Sequence, residues 1–116
     1  MSRKSVVKSY KMIDAGSLGS SITSSTVNVI NLDKASIHLE WTGSSPVGTI
    51  TVQARNGEHD AWYALDLGST ISISGASGDH QLVFNELPFT DIRLLYTRTS
   101  GSGSLDAVVT MKVVGS

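Results

Sequence analysis

At 116 residues, with a formal charge of −1 from nine Lys/Arg against ten Asp/Glu and no cysteine, the chain reads as one domain of ordinary size. These numbers exclude disulfide stapling and thiolate metal sites, and they give no general attraction to nucleic acid or to an anionic membrane. Charged residues make up 16% of the chain, below the usual quarter, and a surface so poor in charge suits a protein packed against neighbours.

The opening "MSRKSVVKSY" offers only Val6 and Val7 as an apolar pair, too little for a signal-peptide core. No apolar stretch approaches the roughly 18–20 residues that cross a bilayer, so synthesis in the cytoplasm is expected. "SVVKSYKM" (5–12) reads as a first strand. Gly16, Gly19 and a series of serines then predict a long loop over 13–26, with one brief strand around Ile22. "TVNVINL" (26–32) turns Val27, Val29 and Asn31 to one side. "SIHLEWT" (36–42) places Ile37, Leu39 and Trp41 inward and His38 and Glu40 outward, the period-2 pattern of a half-buried strand. "GSSPVG" (43–48) reads as a turn, Pro46 favouring a bend.

"TITVQAR" (49–55) follows with Ile50, Val52 and Ala54 on the core side, and Asn56-Gly57 is the strongest hairpin signal in the chain. "AWYALDL" (61–67) returns and "TISIS" (70–74) is short. "GASGDH" (75–80) reads as a loop, with "QLVFNEL" beyond it. Pro88 cannot donate to a central ladder and marks a strand boundary or edge. "FTDIRLLYTRT" (89–99) is apolar on both faces, hence central or covered, and "SGSGS" (100–104) connects it to a last strand with Leu105, Ala107, Val109, Met111 and Val113 on one face. The expected fold is all-β: an antiparallel β-sandwich, jelly-roll-like, of eight or nine short strands. Residues 1–13 read as an N-terminal arm or first strand, and 14–116 as a single sandwich domain.

Such a framework carries no chemistry of its own, so function is sought in loops and edges. His59 stands between Glu58 and Asp60, but adjacent residues of an extended chain point to opposite sides and rarely converge on one ion. His38 and Glu40 share a strand face without an evident third ligand, so no metal site is expected. There is no G-x-S-x-G elbow, and the glycine-rich runs match neither a phosphate loop nor a dinucleotide fingerprint. No catalytic residues and no cofactor are therefore assigned. Trp62 and Tyr63 follow the Asn-Gly turn, so one of the two must face away from the core. Together with His59, Arg93 and Arg98 they are the candidate interface or ligand contacts, because Trp, Tyr and Arg are enriched at the centres of protein interfaces. The bland alternative keeps the two arginines as surface or intersheet ion-pair partners.

In order along the chain, "SLGSSITSSTVNVINLDKASIHLEWTGSSPVGTITVQAR", the Trp-containing "AWYALDL" and "LPFTDIRLLYTRTSGSGSLDAVVTMKVV" resemble a group of short virion proteins of tailed bacteriophages. The resemblance runs from Ser17 to Val114, and its "F..IRL" strand is also similar to discoidin-like and carbohydrate-binding sandwiches. It implies a non-enzymatic bacteriophage structural protein, most simply a capsid decoration (cement) protein. Its partners would be the phage major capsid protein or other virion proteins, with further copies of itself in a homo-oligomer. Its place would be the virion, after synthesis in the bacterial host cytoplasm, with neither nucleic acid nor membrane as partner. Two alternatives stay open: a neck or tail component, and a carbohydrate-binding module using Trp62, Tyr63 and His59.

Overall fold

The computed structural model describes residues 6–30, 32–67 and 70–113, with side chains between 9 and 112. Eight strands are present among them: β1 (Val6–Ser17), β2 (Ile22–Thr23), β3 (Val27–Asn28), β4 (Lys34–Arg55), β5 (Tyr63–Ala64), β6 (Ile71–Ile73), β7 (Ser77–Phe84) and β8 (Asp91–Val113). Every pairing is antiparallel. The eight strands form four long runs. β1–β3 lie along one edge of β8, β8 pairs with β4 over its whole length, and β5–β7 lie along the far edge of β4. The order across the sheet is first run, fourth, second, third.

Two expected turns are not reversals. "GSSPVG" and "SGSGS" sit opposite each other in the middle of β4 and β8, which run on through them as strands of 22 and 23 residues. The register explains how. Ser44 faces Ser102 and Val47 faces Ser100, so Ser45 and Pro46 of β4 oppose Gly101 alone. Gly48 then faces Arg98, which leaves Thr99 of β8 as an extra residue. Each strand thus carries one additional residue, and the two insertions compensate. Ser45 has φ 50° and Gly101 φ 79°, the left-handed conformation that a bulge or tight turn demands and that glycine adopts at least cost.

The consequence is a change of parity. Before the bend the buried residues of β4 are odd-numbered (Ala35, Ile37, Leu39, Trp41), and after it they are even (Ile50, Val52, Ala54). In β8 they are even first (Ile92, Leu94, Tyr96) and odd later (Leu105, Ala107, Val109, Met111). A one-residue shift swaps faces, so a shift in both strands keeps one face of the ribbon inward through the bend. Folding there lays that face on itself and closes a single core that takes Ile37 and Val109 from one half and Val52, Leu94 and Ile73 from the other. The molecule is an all-β antiparallel sandwich, with its two halves joined by the same two strands.

Most inward positions expected from alternation are buried: Val27, Val29, Ile37, Leu39, Trp41, Ile50, Val52, Ala54, Leu105, Ala107, Val109 and Met111. Asn31 and the Val113 side chain lie outside the described residues. Trp41 is buried with its indole N–H donating to the Ser74 carbonyl at 3.0 Å, as a buried indole requires. β8 is central, flanked on both edges, in accord with its apolar residues on both faces. β7 begins at Ser77, inside the segment expected as a loop. Glycine and serine there disguise a strand whose Gly78 leaves room for the Trp41 ring opposite it.

Candidate functional site

The Asn56-Gly57 turn is present, in a loop longer than two residues. Gly57 takes φ 107°, its carbonyl accepts from the Asp60 N–H at 3.1 Å, and the Asp60 carboxylate accepts from the Asn56 N–H at 3.1 Å. The Gly57 N–H donates to the Thr90 hydroxyl oxygen at 2.7 Å, and the Thr90 N–H donates to the Arg55 carbonyl at 3.0 Å. The loop is thereby held against the start of β8, and it delivers Trp62 to the outer face of the sheet.

On that face the paired strands present alternate side chains: Gln53 faces Arg93, and Arg55 faces Asp91. Arg93 Nε donates to Gln53 Oε1 at 2.8 Å, and Arg55 Nε donates to Asp91 Oδ2 at 3.0 Å. Asp91 is buried, and its other oxygen accepts from Asn28 Nδ2 at 3.3 Å. Each guanidinium is therefore fixed by a hydrogen bond before it meets the aromatic ring. The Arg55 and Arg93 guanidinium carbons lie 4.6 and 4.3 Å from the Trp62 ring centroid, within the range of cation–π attraction. A half-buried indole braced by two oriented cations is a rigid, amphipathic patch. It can meet a partner without the entropy cost of ordering flexible side chains.

Of the five candidates, the structure brings Trp62 and Arg93 into contact. Tyr63 lies beside them, exposed, in register with Ala54. Trp62 faces away from the core, under the two arginines, whereas Tyr63 is on the same face as the inward Ala54 and is exposed only because it stands at the sheet edge. One of the two therefore faces away, as sequence required. His59 is exposed in the preceding loop. Arg98 is elsewhere: it sits at the bend, where its Nε donates to the Gly101 carbonyl at 3.0 Å and its N–H to Ser21 Oγ at 3.1 Å. Sequence reading missed Arg55, Gln53 and Asp91. Their alternation is visible in "TVQAR" and "TDIRL", but only the register shows that the two segments are opposite each other.

On the outer face of the other half, His38 Nε2 lies 3.3 Å from Asp79 Oδ2 and its Nδ1 3.7 Å from Glu40 Oε1. Nearby, Lys11 Nζ is 3.1 Å from Asp14 and 3.5 Å from Asp106. No group of three or more acidic, His or Cys residues is arranged to hold a metal ion among the described residues. Among them, too, no helix is long and apolar enough to cross a membrane. An open cleft of about 420 Å³ borders β4 between β5 and β6, lined by Thr49, Thr51, Asp66 and Thr70 with apolar neighbours.

No protein-family model matches the chain, and no curated protein matches it by sequence. Its folded shape does have counterparts. The SPBc2 prophage-derived protein YomS superposes with a TM-score of 0.64 at 14% identity, over 95% of this chain and 97% of that one. The chain shares that protein's fold. The infectious bursal disease virus VP2 subviral particle gives a TM-score of 0.56 at 18% identity, over 97% of this chain and 33% of that one. Another structure, of an infectious bursal disease virus particle, gives 0.61 at 16% identity, over 97% and 32%. The chain therefore spans about a third of the length of the bursal disease virus chains and nearly all of the prophage protein.

Proposed function

We propose that this chain is a non-enzymatic structural protein of a bacteriophage virion, and that it serves as a capsid decoration protein bound to the outside of the major capsid shell. The observation that carries the reading is the shared fold with a prophage-derived protein over nearly the whole of both chains. A similar sandwich within a larger particle-forming viral chain supports it further. The jelly-roll-like winding belongs to the same reading, supported by the two long strands that serve both halves of the sandwich. Mechanically, a sandwich whose halves share strands transmits load along covalent backbone rather than across a side-chain interface alone. Bridging neighbouring shell subunits, it adds buried area at each local symmetry axis. The Trp62–Arg55–Arg93 patch is the proposed contact with the shell, and Tyr63 and His59 are proposed to flank it. Arg98 is proposed as a second contact at the bend.

The test is the copy number of this protein in purified virions, measured by quantitative mass spectrometry against the major capsid protein. Hundreds of copies fit decoration of a symmetric shell, and about six to twelve fit a neck or tail ring. Absence from the particle overturns the virion reading.

A second reading has one observation in its favour. The threonine-lined cleft beside β5, close in sequence to Trp62, has the polar walls that a sugar-binding module needs. Glycan-array binding that disappears in Trp62→Ala, with the fold intact, would replace the structural role by this one.

A further inference from the structure

Natural sheets blunt their edges, and the two halves of the sandwich differ in how far they do so. The second half is edged by β2, β3, β5 and β6, each two or three residues long. The first half is edged by β7, eight residues without a register shift, and by β1, whose register is unbroken from Val6 to Lys11. Among the described residues each of these two strands pairs with one neighbour only. Two of the exposed large hydrophobic residues stand on them, Tyr10 at 42% exposure and Val83 at 65%. Proline and bulges are missing from both straight stretches, and the remaining deterrent is charge, Lys8 and Lys11 on one and Asp79 on the other.

The charges are segregated between the same two edges. The straight stretch of β1, Val6 to Lys11, contains Lys8 and Lys11 and no acid, and Asp14 follows beyond the register shift, paired with Lys11. Residues 56–90 contain Glu58, Asp60, Asp66, Asp79 and Glu86 and neither Lys nor Arg. The straight stretch of β1 thus carries only positive charge, and the third run, on the opposite edge, only negative charge.

We infer that copies of this chain associate head to tail, the β1 edge of one copy adding antiparallel to the β7 edge of the next. Strand direction permits it. The layer reads β1, β8, β4, β7, four strands alternating in direction, so a second copy in the same orientation continues the alternation without inversion. The rows agree as well. Lys11 is level with Val108, His38 and Gln81, so on continuing the sheet Lys11 of one copy meets Gln81 of the next with Asp79 on the diagonal. Lys8 is level with Met111, Ala35 and Phe84, near Glu86. The two-fold alternatives, β1 with β1 or β7 with β7, set like charges against each other, which is unfavourable across a strand pair. A heterologous contact of this kind closes into a ring if its rotation allows. The inference rests on the proposed structural role and specifies the homo-oligomer that the sequence resemblance implies, yet its test needs no virion.

Sedimentation velocity of the purified full chain decides it. The expected result is an assembled species at about 0.02 M salt that dissociates to monomer at about 0.5 M, because exposed charges are screened. Lys8→Glu with Lys11→Glu, and separately Asp79→Lys with Glu86→Lys, each yield monomers at low salt. Mixing the two variants restores assembly, since each then offers the edge that the other lacks. A wild-type chain that is monomeric at low salt overturns the inference, whether or not any variant folds. So does a dimer that one pair of reversals abolishes and the other leaves intact. A monomer abundant in virions would sink this inference alone, and a salt-sensitive oligomer missing from virions would sink the virion role alone.

Discussion

The Tyr96 hydroxyl donates to the Val47 carbonyl at 3.2 Å, tying the buried face of β8 to the bulge of β4 at the bend. The Tyr96 ring is fully buried, and burial pushes its phenol above its ordinary value, with the Arg98 charge offsetting part of the rise. Because the folded protein favours the protonated phenol, the contribution to stability is complete below the unfolded value near 10. It is lost as pH rises through the higher folded value. Thermal unfolding followed above about pH 10 should show stability falling, and Tyr96→Phe should remove that part of the decline. The same substitution should cost about 1 kcal/mol at neutral pH for the lost hydrogen bond.

Gly101→Ala tests the bend itself. Gly101 has φ 79°, and a Cβ there would come within 2.7 Å of the Pro46 Cα, backbone that cannot swing aside. The left-handed conformation costs a non-glycine residue about 1–2 kcal/mol, and the crowding adds about 1–3 kcal/mol. Urea denaturation should show a loss of about 2–5 kcal/mol. A loss below about 0.5 kcal/mol would mean that the bend does not depend on this conformation.

Asp91→Ala should destabilise through the partners it strands. Arg55 loses its carboxylate and Asn28 its acceptor. Arg55 stays partly solvated, so the expected cost is about 2–3 kcal/mol, below that of breaking a fully buried pair. Near-ultraviolet circular dichroism should also change, because Trp62 would rest on a guanidinium no longer held in place.

Trp62→Ala separates stability from binding. Loss of two partly solvated cation–π contacts should cost the fold only about 1–2 kcal/mol. Affinity for particles stripped of this protein should fall about tenfold or more if the indole anchors the contact. Unchanged affinity would move the shell contact away from this end of the sandwich.

Sequence resolved the strands wherever alternation was clean, as in "SIHLEWT", "TITVQAR" and "LDAVVTMKVV". There an apolar residue at every second position has only one way to be buried. Reading failed at Gly43–Gly48 and around Gly101. Glycine, serine and proline mark a departure from regular extended backbone, and locally a chain reversal and a bulge that lets the strand continue look the same. Which one forms depends on the strand across the sheet: here β4 and β8 each take an extra residue at the same level, and neither segment carries the other's register. The site shows the same limit. Trp62 and Arg93 stood out by residue type, whereas Arg55 and Asp91 joined them only through pairing across 36 residues of chain.

Composition and period by themselves determined an all-β chain, its inward faces and the lack of a disulfide framework, because these follow from residue type and nearest-neighbour geometry. Tertiary structure decided that two strands serve both halves of the sandwich, that Trp62 rests on two arginines, and that Lys8 and Lys11 lie on the edge opposite Asp79. Those facts depend on which distant segments become neighbours, and that is set by burying one continuous face of the ribbon.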